Sequence, residues 1–353
     1  MEEEFLKKTE QKVFKVLIYF IIVFCIFMCK TYNVYSLEYR NVLVLNSYDE
    51  GFNWTRHMEK GIYDVLKNEY YVHLFHEYMD TKNINNKEYI DMLTKLYIKK
   101  YENKKIDLII CCDNDALNFI LNSKIEFLNS CPMVFCGIND FSDNLIKNKK
   151  NCTGIVEKID VDSTISSIFT MQPKTKNIVV VTDSSTTGKS NEESAKKVIS
   201  KYKERVNSYF YKDITQKEFY NKIKKFSLDT VILYIGQFRD DSGEIIPFSK
   251  SGKILENCKY PIYVCWDFLF GQNVVDGKVI SGYNQGLLAG NMALEILRGI
   301  NVKNIPIIRK CPSNYVFNYN ELVKHNIKLD NLPKNSTIVD RPYSIIYEYK
   351  KYI

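Results

Sequence analysis

The sequence predicts an α/β protein of two lobes, each built on an open, doubly wound parallel sheet. Short apolar runs rich in β-branched residues alternate with longer amphipathic segments, which is typical of parallel strands joined by crossover helices. This alternation starts near Asn41 and starts again near Val161. The chain also has 353 residues, which is more than one hydrophobic core usually organises.

The N-terminal segment has the pattern of a secretory signal peptide. Four lysines between positions 7 and 15 precede an almost uninterrupted apolar run at 16–29, which is short for crossing a bilayer. Val34 and Ser36 are small residues at the third and first positions before a cleavage site. Cleavage after Ser36 would remove residues 1–36 and leave the mature protein.

Two alternatives for this segment stay open, because its flanks are not ideal. Residues 13–29 would remain as a membrane anchor if cleavage failed, or Cys29 would be lipidated. Phe27 and Met28 disfavour lipidation, since that processing prefers small residues before the cysteine. All of these interpretations place the rest of the chain outside the cytoplasm, whether secreted, on the cell surface or in the periplasm.

The charge pattern argues against a nucleic-acid partner. Lys and Arg number 49 and Asp and Glu number 42, which gives a formal net charge of +7. The lysines are scattered among acidic residues and do not form a basic stripe. We therefore expect no nucleic acid among the partners.

The cysteines predict burial rather than disulfides or metal binding. Cys111, Cys112, Cys136 and Cys265 lie in apolar, strand-like runs, where cysteine behaves as a small buried hydrophobe. Cys111 and Cys112 must point to opposite faces of one strand. The pattern CxxC is absent and no histidine has ligand spacing, so we expect no metal.

Motifs of common enzymes are absent from the sequence. The stretch from Thr187 to Ser190 resembles the end of a phosphate-binding loop, but Asp183 stands where its first glycine belongs. GxSxG, HExxH and GxGxxG do not occur. Asp113 and Asp115 have the spacing of a catalytic or calcium-binding carboxylate pair, although helix capping or binding of a ligand amine suits them better. We expect no enzymatic activity, no catalytic residue and no cofactor.

The first half of the mature chain contains four predicted strands separated by helices. Each strand is short and apolar or β-branched, and each helix is amphipathic. The strands are 42–45, 71–78, 108–112 and 133–136, and the helices are 54–67, 86–101 and 116–121.

The second half repeats the alternation, beginning with a helix. No low-complexity linker separates the halves, so we expect several segments to cross between the lobes. A strand near 278–281 completes the second half before the last helix. The helices are 161–171, 191–202, 216–226 and 286–297, and the other strands are 178–181, a segment near 209, 230–234 and 262–266.

Polar side chains with an aromatic neighbour follow nearly every predicted strand. Loops and helix N-termini meet at the carboxyl ends of parallel strands, and ligands bind there. Both tryptophans, Trp54 and Trp266, fall at strand ends, as does Phe238. This set suits a pocket that holds a polar molecule through hydrogen bonds and its apolar part between rings. The other polar or aromatic residues at strand ends include Asn46, Ser47, Tyr48, Asp113, Asn114, Asp115, Asn139, Asp140, Asp183, Ser184 and Asp267.

Helix capping is the simpler alternative for individual members of this set. Ser, Asp and Asn are common helix N-caps because their side chains accept hydrogen bonds from free backbone N–H groups. Ser47, Asp115 or Ser184, taken singly, would then cap a helix and have no contact with a ligand.

Seven segments carry a family resemblance: VLVLNSYDEGFNWT (42–55), DLIICCDNDALNFI (107–120), PMVFCGINDF (132–141), TGIVEKIDV (153–161), VVVTDSSTTGKS (179–190), YVCWDFLFGQNVVDGKVISGYNQG (263–286) and RPYSIIYEYKKYI (341–353). In this order they resemble the ABC-transporter substrate-binding-like family over about residues 40–353. The most similar pattern is the extracellular sensor region of bacterial histidine kinases and diguanylate cyclases. Free-standing relatives serve uptake systems, some of them for aromatic amino acids.

The resemblance implies the type I periplasmic-binding-protein fold, in which two Rossmann-like lobes close at a hinge over a central ligand cleft. Crossings between the lobes are expected near Glu157, Gly282 and Pro306. Lobe 1 would comprise 37–156 and 283–306, lobe 2 would comprise 157–282 and 307–335, and 336–353 would be a C-terminal tail. Carried over by position, the cleft would be lined by Ser47, Tyr48, Trp54, Asp113, Asn114, Asn139, Asp183, Ser184, Trp266, Asp267 and Tyr283.

The leading functional hypothesis is an extracytoplasmic solute-binding protein that closes on a small organic ligand, with amino acids among the candidates. Its partner would be the membrane permease of an ABC transporter. The alternative is a ligand-sensing ectodomain without its own transmitter, because sensor relatives continue into a membrane helix where this sequence ends at Ile353. Its partner would be a membrane sensor kinase or cyclase. An enzyme using Asp113 and Asp115 is a third alternative.

Overall fold

The computed structural model of the protein describes residues 12–24, 39–184, 186–236, 255, 258–270 and 273–342. The chain divides into two compact units, Met1–Tyr39 and Arg40–Ile353. In the first unit, residues 12–24 form helix α1, and its side chains are exposed. Among the described residues, no helix is long and apolar enough to cross a membrane. Cys29, the cleavage site after Ser36, Phe238 and the tail beyond residue 342 lie outside the described residues.

The first sheet of the second unit has five strands: β1 (Arg40–Asn46), β2 (Val72–Tyr78), β3 (Leu108–Cys112), β4 (Met133–Ile138) and β5 (Cys152–Val156). The helices along it are α2 (Asn53–Leu66), α3 (Lys87–Tyr101), α4 (Asp113–Asn122) and α5 (Glu126–Ser130). All strand pairs are parallel, and the order is β2-β1-β3-β4-β5. The sequence analysis did not identify β5, whose apolar run is short and contains Thr153 and Gly154.

The two faces of the first sheet bury different helices. Val44 belongs to a core cluster with Met58 and Ile62 of α2. The next residue, Leu45, belongs to a separate cluster with Tyr97 of α3. Successive side chains of a strand point to opposite faces, so the continuous apolar runs of β1, β3 and β4 correspond to a sheet that is covered on both sides.

The second sheet has four strands: β6 (Asn177–Thr182), β7 (Asn207–Lys212), β8 (Thr230–Tyr234) and β9 (Ile262–Tyr263). The accompanying helices are α6 (Val161–Met171), α7 (Thr186–Ile199) and α8 (Gln216–Ile223). All strand pairs are parallel, and the order β7-β6-β8-β9 repeats that of the first sheet. The repeated alternation in the sequence is therefore present as two similar sheets.

A third, small sheet differs from the sequence prediction. The strand near 278–281 does not join the second sheet. It forms β10 (Asp276–Ile280), which pairs antiparallel with β11 (Ser313–Asn318), and β11 pairs with β12 (Thr337–Val339). The strand predicted at 262–266 is shorter in the structure, where β9 ends at Tyr263. Beyond this end, Trp266 forms an isolated bridge with Ile280. An apolar pattern predicts a strand but does not name its pairing partner.

Helix α9 (Gly282–Leu297) begins one turn before the predicted start at Gly286. It packs very closely against α2, because a Cβ at Gly286 would lie 1.9 Å from the Met58 carbonyl oxygen. Glycine lowers helix propensity, so the sequence did not indicate this first turn. The short helix α10 (Tyr319–Lys324) follows β11.

A returning segment lies beside the last strand of the first sheet. The Ile308 N–H donates to the Gly154 carbonyl at 2.9 Å, and the Val156 N–H donates to the Ile308 carbonyl at 2.9 Å. Two of the predicted crossings, near Glu157 and near Pro306, are thus adjacent in space. The lobe boundaries themselves stay a prediction.

Candidate functional site

The carboxyl ends of β1 and β3 form the point where the order of the first sheet reverses. The chain leaves β1 toward β2 on one side and β3 on the other, which opens a crevice between the loops that follow β1 and β3. Ser47 follows β1, and Asp113 follows β3. In the second sheet, Asp183 follows β6 at the equivalent reversal.

Ser47 connects the loop after β1 to the loop after β3 through two hydrogen bonds of its side chain. Its side chain is fully buried, its hydroxyl donates to the Cys112 carbonyl at 2.8 Å, and its Oγ accepts from the Ala116 N–H at 2.8 Å. Ser47 therefore satisfies a free N–H in the first turn of α4, which begins at Asp113 and not at the predicted Ala116. The Asp115 carboxylate accepts a hydrogen bond from Thr81 at 2.7 Å.

Asp113 places a buried carboxyl group at the reversal point. Its backbone is left-handed, with φ of 70°, and the residue is 3% exposed. Oδ1 accepts a hydrogen bond from Trp54 Nε1 at 3.0 Å, whereas buried Oδ2 has no hydrogen-bond partner among the described residues. Gly137 leaves room for this carboxyl group, since a Cβ there would lie 2.6 Å from Asp113 Oδ1.

Burial raises the pKa of the Asp113 carboxyl well above its usual range, and the nearby Glu157 carboxylate raises it further. The Trp54 hydrogen bond and the Lys82 ammonium group oppose this rise by favouring the ionised form. The charge state of Asp113 is therefore sensitive to any cation that approaches Oδ2.

An aromatic cluster joins the two sheets beside Asp113. The Trp54 and Phe268 rings meet edge to face with their centres 6.0 Å apart. The centre of the Phe268 ring lies 6.2 Å from that of Phe52 and 5.7 Å from that of Trp266. The Tyr48 ring packs edge-on against Phe52 at 5.5 Å.

Lys82 places a cation against this aromatic cluster. Its Nζ lies 3.6 Å from the centre of the Phe52 ring and 4.4 Å from that of Tyr48, which is the geometry of a cation–π contact. Burial lowers the pKa of Lys82 to about 8, although the carboxylates of Asp113, Glu157 and Asp183 favour its charged form.

Glu157 adds a second buried carboxyl group. It is 6% exposed, and its Oε1 accepts a hydrogen bond from Trp266 Nε1 at 2.7 Å. Burial raises the pKa of Glu157 to about 7, although the hydrogen bonds from Trp266 and Asn139 favour the ionised form. We call the group Tyr48, Phe52, Trp54, Lys82, Asp113, Glu157, Trp266 and Phe268 the inter-sheet cluster.

The loops around the inter-sheet cluster are held by polar side chains. The Asn114 side chain donates to the Asn139 carbonyl at 3.0 Å and accepts from the Asn139 N–H at 2.9 Å. The Ser190 hydroxyl of α7 donates to the Asp140 carboxylate of the loop after β4. This last bond connects the loops of the two sheets.

The predicted site residues after β6, Asp183 and Ser184, contact neighbouring residues of the second sheet's loops and helices. Asp183 is fully buried, and a Cβ at Gly188 would lie 2.2 Å from its Oδ1. Gly188 belongs to the stretch from Thr187 to Ser190 whose sequence resembles the end of a phosphate-binding loop. Its missing side chain permits a close contact with Asp183. The Ser184 N–H donates to the Asp213 carboxylate at 2.9 Å.

Asp267 and Tyr283 lie near the start of α9, where Asp267 Oδ1 accepts from the Gly282 N–H at 3.5 Å. Asp267 is 9% exposed, and its Oδ2 lies 3.9 Å from His57 Nδ1 near the start of α2. The Tyr283 hydroxyl donates to Asp64 at 3.2 Å. Asp64 is ten residues after Trp54 on α2, about 15 Å along the helix axis, so the Tyr283 hydroxyl points away from the inter-sheet cluster, although the preceding Gly282 packs against Trp54.

The structure thus brings together Tyr48, Trp54, Asp113 and Trp266, and it places Ser47 beneath them. Four members of the inter-sheet cluster were not among the predicted site residues: Phe52, Lys82, Phe268 and Glu157, which was predicted only as a crossing between the lobes. Phe52 and Phe268 lie two residues from the two tryptophans, so aromatic spacing was the available indication. Lys82 lies in the loop after β2, a strand end that the sequence analysis did not consider.

The described residues contain neither a candidate metal site nor a disulfide. No group of three or more His, Cys, Asp and Glu residues is arranged to hold a metal ion. The described cysteines are free thiols. Cys111, Cys112, Cys136 and Cys265 are each fully buried, as predicted.

Comparison with known proteins identifies the class and then the family. Two similar parallel sheets with the same strand order define a periplasmic-binding-protein-like fold. A family model described as ABC transporter substrate binding protein matches residues 54–337, so the chain belongs to that family. No curated protein matches the chain.

Solved structures support the fold at low sequence identity. An ABC domain in complex with L-Trp from Streptococcus pneumonia has a TM-score of 0.61 and 16% identity, covering 85% of this chain and 100% of that one. A conserved domain protein from Vibrio cholerae has a TM-score of 0.61 and 14% identity, covering 85% and 99%. A ligand-free, open substrate-binding protein with adhesive properties from Clostridium difficile has a TM-score of 0.59 and 15% identity, covering 86% and 100%.

Proposed function

We propose that this protein is an extracytoplasmic solute-binding protein that closes on a small zwitterionic molecule, an amino acid with an aromatic or apolar side chain, and delivers it to an ABC-transporter permease. One observation carries the proposal. A buried carboxyl oxygen without a partner in the described part of the chain, Asp113 Oδ2, lies in the same cluster as the Lys82 ammonium group and several aromatic rings.

Asp113 is the proposed acceptor for the ammonium group of the ligand. A buried acceptor that makes no hydrogen bond costs about 1–3 kcal/mol, and an N–H donor at Oδ2 would remove this cost. An approaching ammonium group would also lower the raised pKa of Asp113 toward its ordinary value, because opposite charge favours the carboxylate.

Lys82 is the proposed partner for the carboxylate of the ligand. It belongs to the same cluster as Asp113, whose raised pKa an arriving ammonium group would lower, so the liganded cluster would present a carboxylate and an ammonium group together. Because its pKa is lowered only to about 8, most Lys82 side chains are charged at neutral pH. A ligand with both charges therefore matches the site better than an amine or an acid alone.

Phe52, Trp54 and Phe268 are the proposed contacts for the apolar part of the ligand. Phe52 and Trp54 belong to the first sheet's loops, whereas Phe268 follows β9 of the second sheet. A ligand held between them would join the two sheets and favour the closed arrangement. The Ser190–Asp140 hydrogen bond would add to the same closure.

The ligand class is tested by thermal unfolding and calorimetry with phenylalanine, tyrosine, tryptophan and leucine, each beside its N-acetyl and amide derivatives. The N-acetyl compounds lack the ammonium group, and the amides lack the carboxylate. We expect at least one parent amino acid to raise the melting temperature and both of its derivatives to bind at least tenfold more weakly. A ligand at 100 times its Kd stabilises the folded state by about 2.7 kcal/mol.

The result that contradicts this proposal is equal binding of the parent amino acids and their derivatives, or no stabilisation by any of them. Small-angle scattering with the best ligand checks closure, since a closed protein has a smaller radius of gyration. The Asp115→Asn variant is the matched control, because its carboxylate lies two residues from Asp113 and already accepts from Thr81.

The partner is tested separately from the ligand. Transport predicts that the liganded protein stimulates ATP hydrolysis by a reconstituted permease complex from the same host. A sensor ectodomain would use the same cluster but would instead alter the activity of a membrane kinase or cyclase, and that outcome would replace the transport proposal.

A further inference from the structure

Two thiols lie side by side directly beneath the inter-sheet cluster. Cys112 and Cys136 are register partners on the neighbouring strands β3 and β4, and their sulfur atoms are 3.6 Å apart. Both residues are fully buried, and the Met58 sulfur lies 3.9 Å from Cys136 Sγ on the α2 side. Cys111, one residue earlier, belongs to the opposite face of the sheet.

We infer that Cys112 and Cys136 are a redox-modification site, at which an oxidant joins the two sulfur atoms in a disulfide under the floor of the cleft. The inference is independent of the ligand proposed above.

The backbone geometry permits this bond. Neighbouring strands lie about 4.8 Å apart, and disulfides join residues whose Cα atoms are about 4.4–6.8 Å apart. Register partners on adjacent strands therefore fall inside the permitted range, and the sulfur atoms have to approach each other by about 1.5 Å to reach the S–S bond length of about 2.05 Å. Rotation of the two side chains supplies most of that movement.

The chemistry balances with a hydroperoxide as the oxidant. One thiolate attacks the terminal peroxide oxygen to give a sulfenic acid and release the corresponding alcohol, or water from hydrogen peroxide, and the second thiol then displaces the hydroxyl group of the sulfenic acid as water to form the disulfide. For hydrogen peroxide, two thiols and one peroxide give one disulfide and two waters. The hydrogen bond with Cys136 and burial both raise the pKa of the Cys112 thiol, so the reaction is slow, and a small oxidant is required to reach it.

The bond would act on the residues that line the cleft. Cys112 precedes Asp113, and Cys136 precedes Gly137, whose missing Cβ leaves room for the Asp113 carboxyl group. Drawing Cys112 and Cys136 together moves both of these neighbours. The Trp54 indole, which donates to Asp113 Oδ1, reports that movement.

The test treats the purified full-length chain with hydrogen peroxide, blocks the remaining thiols by alkylation in denaturant, and maps the peptides by mass spectrometry. We expect the loss of two alkylatable thiols per chain and a peptide linking Cys112 to Cys136 that a dithiol reductant separates. The Cys111→Ala variant should keep the link, which distinguishes the two adjacent cysteines. The Cys136→Ala variant should lose it, and Cys265→Ala is the matched control for a buried cysteine elsewhere.

Tryptophan fluorescence emission gives a second measurement. It is made on the native protein and therefore does not depend on whether any variant folds. Oxidation should shift the emission, and reduction should restore it, because Trp54 is one of only two tryptophans. The inference is overturned if the native protein keeps all thiols alkylatable under peroxide exposure that crosslinks the same chain in urea. It is also overturned if the link joins Cys111 or any other pair.

Discussion

Asp113 and Asp276 are both buried aspartates with a left-handed backbone, yet their surroundings are opposite. Their φ angles are 70° and 76°, and they are 3% and 0% exposed. Asp113 accepts a hydrogen bond from Trp54 and lies in the field of Lys82. Neither oxygen of Asp276 has a hydrogen-bond partner in the described part of the chain.

The charged groups that act most strongly on Asp276 are carboxylates. Burial raises the pKa of the Asp276 carboxyl well above its usual range, and Asp340 and Glu321 raise it further. The causes that act on the Asp276 pKa are burial and carboxylates, so they all favour the protonated form of Asp276. Burial and an unusual backbone angle are thus common to both residues, and the nearby cation with its aromatic cluster is what supports the proposed role of Asp113 in ligand binding.

The largest expected effect is on binding in the Asp113→Asn variant. Removing one partner of a buried, hydrogen-bonded charge pair costs about 2–5 kcal/mol, so we expect roughly 100-fold weaker binding of the amino acid ligand. Calorimetry measures the affinity, and Asp276→Asn is the matched control with affinity within about twofold of the native protein. Equal weakening in both variants would contradict the distinction between the two aspartates.

Lys82→Met tests the cation that distinguishes Asp113 from Asp276. The change keeps the length of the side chain and removes its charge, so we expect about tenfold weaker binding of the amino acid, which is about 1.4 kcal/mol. Its affinity for the ligand amide should stay unchanged, because the amide has no carboxylate. Lys60→Met, on exposed α2 surface, is the control. An equal loss for amide and parent would show that Lys82 acts only through packing.

Asp276→Asn should increase stability at high pH. The folded-state pKa of Asp276 is raised above its unfolded value, so folding favours the protonated form, and the native protein loses stability as pH rises above about 4. The variant mimics the protonated group and avoids that loss. Urea unfolding should give similar stabilities at pH 4.5 and a variant more stable by about 1–3 kcal/mol at pH 8. A difference independent of pH would contradict the assignment.

Ligand binding should have an optimum in pH set by Glu157 and Lys82. The pKa of Glu157 is about 7 and that of Lys82 is about 8. Affinity should rise as Glu157 ionises and attracts the ligand ammonium group, and it should fall as Lys82 loses its proton. The Glu157→Gln variant should lose the fewfold rise in affinity at lower pH and keep the fall in affinity at higher pH. Calorimetry between pH 6 and 9 measures both the rise and the fall in affinity. An unchanged pH profile in the variant would show that Glu157 does not cause the rise.

The smallest effect is expected for Ser190→Ala. Asp140 is a third left-handed aspartate, but it is exposed, so its hydrogen bond with Ser190 competes with water. A hydrogen bond of this kind contributes about 0.5–1.5 kcal/mol, and we expect affinity to fall by roughly two- to fivefold through faster dissociation. Ser200→Ala, at the end of α7, is the control. Stopped-flow dissociation rates distinguish the two variants.

Local patterns in the sequence were enough for most of the two large sheets. The strands Leu108–Cys112 and Thr230–Tyr234 and the helix Val161–Met171 have the predicted bounds. Each element shows its own apolar periodicity, so its identity depends on neighbours within one or two turns. The repeated alternation likewise predicted two similar parallel sheets.

The candidate site was predicted in part. Trp54, Asp113 and Trp266 follow strands, and the rule that ligands bind at the carboxyl ends of parallel strands was sufficient to select them. Tyr283 was selected by resemblance, and the structure places it beside Asp64. Lys82 and Phe268 were not selected, because their importance depends on rings that are distant in the chain.

The amino-acid pattern alone therefore established the class of fold and the strand ends where a site belongs, since both follow from local periodicity. Which side chains meet there required the folded molecule. The pairing of β10 with β11, the approach of Lys82 to Phe52 and the contact of Cys112 with Cys136 each join segments that no local periodicity connects. Such contacts depend on how sheets and helices pack in three dimensions, and the charge on Asp113 depends in turn on those contacts.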